Sequence, residues 1–193
     1  LAYFLTGEKY AEYTIASTSQ MISAEKRDWD YELLNKFGLP TDILCPVIRP
    51  GAVYGKLTDD LCAELGCPKV PVIAVCAHDT ASAVAATPAM DKDFVYISCG
   101  TWSLFGTEAQ NPVVNDKAFE YQFTNEGGYG GTIRLLKNIM GLWVIQECRR
   151  QWQKEGIELS YEEIAKEAEK IPDGKFIIDI DYGDFDKPGD MPK

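Results

Sequence analysis

Val70-Pro71-Val72-Ile73-Ala74-Val75-Cys76-Ala77-His78-Asp79-Thr80-Ala81-Ser82-Ala83-Val84 changes character once, at His78. Val70 to Ala77 is almost unbroken apolar sequence, valine-rich and too short for a typical helix, which predicts a strand buried on both faces. His78-Asp79-Thr80 ends that run. The small residues from Ala81 to Ala86 predict a helix that packs closely against neighbouring backbone. A buried strand feeding a helix places the chain in the α/β class, whose ligands collect at the carboxyl ends of the strands.

Asp79 stands at that end and is the first candidate for chemistry. An Asp at the start of a helix is also what an N-cap looks like. As a catalytic group it would accept the proton of a hydroxyl while that oxygen attacks phosphorus, work that needs one positioned carboxylate and no triad. His78, the single histidine of the chain, could bond a substrate hydroxyl or be a satisfied core residue. His78 and Asp79 with Ser103 could be read as a hydrolase set, but no GxSxG elbow exposes the serine.

Working back towards Leu1, Leu57 to Leu65 behind Thr58 predicts a short helix stopped by Gly66 and Pro68. Trp29, Tyr31, Leu33, Leu34 and Phe37 recur at helical spacing behind Asp28 or Asp30, with Gly38 and Pro40 closing the element. Leu1 to Leu5 reads as the tail of a helix that ends at Gly7. The chain opens at Leu1 without an initiator methionine and is expected to be an excised part of a longer polypeptide.

Beyond the helix, Pro88 and Asp91-Lys92-Asp93 predict a domain boundary near residue 90, between a part spanning 1–88 and one spanning 91–193. Phe94 to Cys99 and Trp102 to Thr107 predict a hairpin turning at Gly100-Thr101. Glycine there would let backbone approach a phosphate and Thr101 would add a hydroxyl, though turn chemistry alone would select the same residues. Asn125-Glu126-Gly127-Gly128 with Gly130-Gly131 reads as a glycine-rich loop. Ile133 to about Lys154 then predicts the longest helix, carrying Asn138 and Gln146 as polar residues amid apolar ones. Ser160-Tyr161-Glu162-Glu163 is a capping box for a further helix to about Lys170. Asp179, Asp181, Asp184 and Asp186 lack the order of an EF-hand and read as a solvated turn.

The chain holds 30 acidic against 19 basic residues, a net charge of -11 that repels nucleic-acid backbones. Six scattered cysteines without CxxC, and one histidine, argue against a structural zinc and fit reduced thiols in a cytoplasmic protein. No apolar stretch reaches the length of a membrane span, so neither membrane nor nucleic acid is an expected partner. No GxxxxGK[ST] occurs, so ATP, if bound, is not held by a P-loop.

Four segments taken together point further: His78-Asp79-Thr80-Ala81-Ser82-Ala83-Val84, Ile97-Ser98-Cys99-Gly100-Thr101-Trp102-Ser103-Leu104, Asn125-Glu126-Gly127-Gly128, and Leu136-Lys137-Asn138-Ile139-Met140-Gly141-Leu142-Trp143. In order and spacing they resemble the FGGY family of carbohydrate kinases. The likeness begins at Leu1-Ala2-Tyr3-Phe4-Leu5-Thr6-Gly7, passes through Glu12-Tyr13-Thr14 and Thr18-Ser19-Gln20, and runs at least to Gln146.

That resemblance implies an actin-like ATPase (ribonuclease H-like) fold, with 1–88 the later part of a sugar-binding domain and 91–193 the first part of a nucleotide-binding one. It implies Asp79 as proton acceptor, His78 and Thr80 as its sugar-binding neighbours, and Thr101, Asn138 and Gln146 as nucleotide contacts. The reaction implied is transfer of the ATP γ-phosphoryl group, with Mg²⁺, to the 1-hydroxyl of L-rhamnulose. The same machinery would serve a family kinase for fuculose or xylulose, and a non-catalytic sugar-binding module is the reading from another class. The family's DxGT-like phosphate hairpin and its glycine-rich adenosine motif do not occur in these residues, so the chain by itself is expected to be inactive.

Overall fold

A computed structural model describes residues 1–185, 187–189, 191 and 192; Asp186 of the acidic stretch lies outside the described residues. In chain order the elements are α1 (Ala2–Thr6), β1 (Ala11–Glu12), α2 (Tyr13–Ala16), β2 (Ile22–Ser23), β3 (Asp28–Trp29), α3 (Tyr31–Lys36), β4 (Val47–Ile48) and β5 (Val53–Lys56). They continue with α4 (Asp59–Leu65), β6 (Pro71–Ile73), α5 (Asp79–Ala85), β7 (Val95–Cys99), β8 (Trp102–Ala109), α6 (Asp116–Glu120), β9 (Thr124–Gly127), β10 (Ile133–Met140), α7 (Trp143–Lys154) and α8 (Tyr161–Ala168). A four-stranded sheet has the order β7-β8-β10-β9, and the remaining strands form three two-stranded pairs, β1-β4, β2-β3 and β5-β6. The chain divides into two compact units that interleave in sequence, Leu1–Tyr96 with Gly106–Lys137, and Ile97–Phe105 with Asn138–Lys193.

In the first unit local chemistry sets most element ends. Thr58 accepts from the Leu61 N–H at 3.4 Å and caps α4, which Gly66 ends at φ 62. Asp30 accepts from the Leu33 N–H and caps α3, so that helix starts two residues after Trp29. Trp29 instead lies on β3, paired across from Ile22, and donates from its indole to the Cys45 carbonyl at 2.7 Å. With Ala16 and Leu34 it forms a core on which Ala11, Met21, Ile22, Leu44 and Val47 pack.

Two further expectations need correction. The run before His78 is a three-residue strand, β6, paired antiparallel to β5 and not buried on both faces. Ala74 and Cys76 are buried while Ile73 and Val75 are exposed, the alternation of a one-sided extended segment. A continuous apolar run is compatible with either environment, and composition does not distinguish them. The longest helix is also two elements. Ile133–Met140 is strand β10, antiparallel to β9, and only Trp143–Lys154 is helical. Leu136, Ile139 and Met140 therefore sit on a strand, and Asn138 with them. Cross-strand pairing and burial of Ile133, Arg134 and Leu136 override the helix propensity of Leu, Arg and Lys. The glycine-rich loop shortens accordingly, because Asn125, Glu126 and Gly127 belong to β9.

In the second unit the expected capping box is present. Ser160 accepts from the Glu163 N–H at 3.2 Å, and the Glu163 carboxylate accepts from the Ser160 N–H at 2.8 Å. Arg149 joins α7 to the start of α8 by donating to the Leu159 carbonyl at 2.7 Å and lying over the Tyr161 ring at 4.9 Å. Gly100-Thr101 connects β7 to β8 as the sequence predicts, and a connection this short makes the pair antiparallel. All six cysteines are free thiols, Cys76 buried and Cys99 exposed. Among the described residues no helix is long and apolar enough to cross a membrane.

Candidate active site

The elbow between β6 and α5 is held by residues far away in sequence. Glu12 is 4% exposed and spends its carboxylate on four donors. Oε1 accepts from the Thr14 N–H at 2.9 Å; Oε2 accepts from the Thr14 hydroxyl at 2.6 Å, the Ile15 N–H at 3.2 Å and the Ala77 N–H at 3.0 Å. The buried Thr14 hydroxyl oxygen in turn accepts from the His78 N–H at 3.1 Å. One carboxylate thus caps α2 and, with Thr14, fixes the two backbone amides that precede Asp79. Ser82 completes the turn by donating to the Cys76 carbonyl at 2.7 Å.

Asp79 is the first helical residue of α5 rather than its N-cap. His78 holds the N-cap position and makes no side-chain cap bond. The Asp79 side chain is 97% exposed. Its Oδ1 accepts from the Thr80 N–H at 2.6 Å and the Thr80 hydroxyl at 3.3 Å, and among the described residues no group engages Oδ2. The carboxylate is therefore tethered by one oxygen and open at the other. Thr80 itself is buried beneath it.

His78 lies 3.9 Å from Asp79, measured Nδ1 to Oδ1, beyond hydrogen-bond distance. Its Nδ1 is buried and has no protein partner. Burial, and next the Arg134 guanidinium, push the imidazole below its ordinary range, outweighing the carboxylates of Glu126, Asp79 and Glu12. At neutral pH it is uncharged, so the pair is not an ion pair. Arg134 is fully buried, donating to Glu126 Oε2 at 3.0 Å and to the Gly127 carbonyl at 2.9 Å. Gly127 is where backbone meets the Tyr13 ring; a Cβ there would fall 2.4 Å from Tyr13 Cε1.

The second unit carries Thr101, Asn138 and Gln146. Thr101 is exposed at the turn and lines a cavity of about 400 Å³ with Trp102, Met140 and Trp143. Its carbonyl accepts from the Gly141 N–H at 3.1 Å and the Trp143 N–H at 3.2 Å, while the Gly100 carbonyl accepts from the Leu142 N–H at 3.0 Å. The hairpin turn thereby caps α7, whose own Leu142 supplies no side-chain cap. Gly141 is obligatory at this join, since a Cβ would meet Ser103 Oγ at 2.6 Å. Gln146 is half-buried one turn into α7, and Asn138 is exposed on β10. The structure thus gathers His78, Asp79 and Thr80 in one unit and Thr101, Asn138 and Gln146 in the other. Glu12 and Thr14 were visible in sequence only as part of a motif, because their partners lie over sixty positions away.

Comparison with known proteins gives a consistent picture. Residues 1–86 match the N-terminal domain of the FGGY family of carbohydrate kinases, and residues 95–193 match its C-terminal domain. A rhamnulokinase of Bacteroides thetaiotaomicron is 44% identical over 191 residues, 99% of this chain and 39% of that protein. A rhamnulokinase of Bacillus subtilis is 39% identical over 193 residues, again 39% of its length. The chain therefore spans well under half of the curated relatives it matches. Among solved structures, a ligand-bound xylulose kinase from Lactobacillus acidophilus superposes with a TM-score of 0.67 at 19% identity, covering 89% of this chain and 34% of that one. A gluconate kinase from the same organism also gives 0.67, at 18% identity, with 89% and 34% covered. At such identities the superpositions establish the fold, parts of the two domains of the actin-like ATPase architecture.

Proposed function

Because the chain belongs to the FGGY family of carbohydrate kinases, we propose that the protein transfers the γ-phosphoryl group of ATP to the 1-hydroxyl of L-rhamnulose, with Asp79 as the base. The observation that carries this reading is the half-tethered, solvent-facing carboxylate of Asp79 beside the unpartnered Nδ1 of a neutral His78. Rhamnulose is favoured over other ketoses because the curated relatives at 39% to 44% identity are rhamnulokinases.

The chemistry follows from the geometry. With Oδ1 occupied by Thr80, Oδ2 takes the proton of the attacking hydroxyl as its oxygen bonds to the γ-phosphorus and the bridging oxygen leaves with ADP. His78 and Thr80 orient the sugar. The nucleotide sits against Thr101, Asn138 and Gln146, the part of the chain from residue 91 onward, while residues 1–88 hold the sugar. An acidic chain needs a cation and backbone amides to receive ATP. Mg²⁺, when bound with the nucleotide, would neutralise phosphate charge. Among the described residues no group of three or more His, Cys, Asp or Glu side chains is placed to hold a metal, so no step is assigned to one. The six unpaired thiols fit work in a reducing cytoplasm.

The test is phosphorylation of L-rhamnulose, beside fuculose and xylulose, by the protein expressed from its whole reading frame and by its Asp79→Asn variant. Turnover should fall by about 10²- to 10⁴-fold with sugar binding retained. Unchanged turnover would reduce Asp79 to a structural residue and end the proposal.

A further inference from the structure

A further cavity, of about 340 Å³, lies in the first unit between Arg27, Arg49, Pro50, Gly130 and Gly131. Two of the chain's five arginines face it, in a protein with 30 carboxylates. Among the described residues neither guanidinium is paired with a carboxylate. Both are held by neutral partners: Arg27 donates from Nη2 to the Gln110 carbonyl at 2.8 Å, and Arg49 donates from Nη2 to the Arg27 carbonyl at 2.6 Å while stacking 4.0 Å over the Tyr13 ring. Arg27 Nε is buried without any partner. Positioned cationic forks with donors to spare are what an oxyanion requires.

The wall and the backbone fit the same reading. Gly130 and Gly131 have φ of 66° and 83°, and a Cβ on Gly131 would lie 3.6 Å from Arg27 Nη1, within the space beside the guanidinium. Arg27 itself has φ 55°, sparsely populated for a residue with a side chain, and the Arg49 bond to its carbonyl helps hold it there. The Tyr129–Gly131 turn that forms this wall also packs on α5, the helix that Asp79 opens.

We propose that this cavity binds a phosphate group, as inorganic phosphate or as a phosphate monoester of a small sugar, between Arg27 and Arg49. No base, nucleotide or metal is involved, and the site does not depend on the transfer reaction. Its occupant would bear on the neighbouring sugar site through the shared Tyr129–Gly131 turn.

Calorimetric titration of the whole protein with inorganic phosphate and with fructose 1-phosphate tests this. Arg27→Gln and Arg49→Gln should each weaken binding by about tenfold or more, whereas Lys166→Gln, at an exposed cation of α8 paired with Glu162, should leave it unchanged. Tighter binding of the sugar phosphate would identify a phosphorylated sugar as the ligand; equal affinities would identify the phosphate alone. Since Arg49 also packs on Tyr13, a variant that fails to fold is replaced by Arg49→Lys, and by competition on the unaltered protein, where sulfate should displace phosphate and chloride should not. Absence of binding up to about 10 mM, or affinity indifferent to both arginines, overturns the proposal.

Discussion

Glu12→Gln is the most incisive perturbation of the elbow, because it keeps shape and removes only charge and one acceptor. The best placement of the amide sets its NH₂ at the Oε1 position, where it faces the Thr14 N–H and leaves that donor unpaired. Oε2 keeps three donors, now as neutral bonds. An unpaired buried amide costs about 1–3 kcal/mol, and each charge-assisted bond made neutral loses about 1 kcal/mol. Relief from burying a charge offsets part of this, so the expected loss is about 2–4 kcal/mol. The readout is local: amide hydrogen exchange at Ala77 and His78 should accelerate by about 30- to 1000-fold, and turnover should fall with it because Asp79 follows those amides. Exchange unchanged within about threefold would show that Glu12 does not hold the elbow, and the positioning argument would fail.

Further expectations follow from other positions. Asp79→Asn, which costs turnover, should change unfolding stability by less than about 0.5 kcal/mol, since the side chain is exposed and its hydrogen bonds run to Thr80; denaturant midpoints check this. Gly127→Ala should cost about 2–3 kcal/mol, read from the same midpoints, because its methyl enters the space of the fully buried Tyr13 ring. Tyr96 is 7% exposed, and burial raises its phenol from 10.0 to about 12, with nearby carboxylates adding and Arg134 opposing. A raised folded value means stability fully present below pH 10 and lost as pH climbs towards 12, by about 3 kcal/mol. Tyr96→Phe should abolish that alkaline loss.

What could be read in the sequence was what nearby residues decide. Thr58, Gly66, Gly7 and the Ser160–Glu163 box act on donors and dihedrals within a few positions, and each ends its element where expected. Asp79 was legible for the same reason, as a carboxylate where a strand run gives way to a helix. The Ile133–Met140 segment was not, because its pairing partner is Thr124–Gly127 and its buried Arg134 is typical of a solvated helix face in composition. The exposure of Ile73 and Val75 is likewise a matter of what packs on them, which an apolar run leaves unspecified. Glu12 escaped as a positioning residue since a lone glutamate carries no signal of its own, and nothing adjacent points to Ala77.

That separation has a kinetic meaning. The bonds from Glu12 and Thr14 to Ala77 and His78 close loops of 65 and 64 residues, a chain-entropy cost of about 3–4 kcal/mol that must be met before the bonds return anything. Helix α5, at seven residues, is too short to be stable alone, and the orientation of its first carboxylate waits for that distant closure. During folding Asp79 should therefore acquire its final setting late, as one of the last features of its unit to mature.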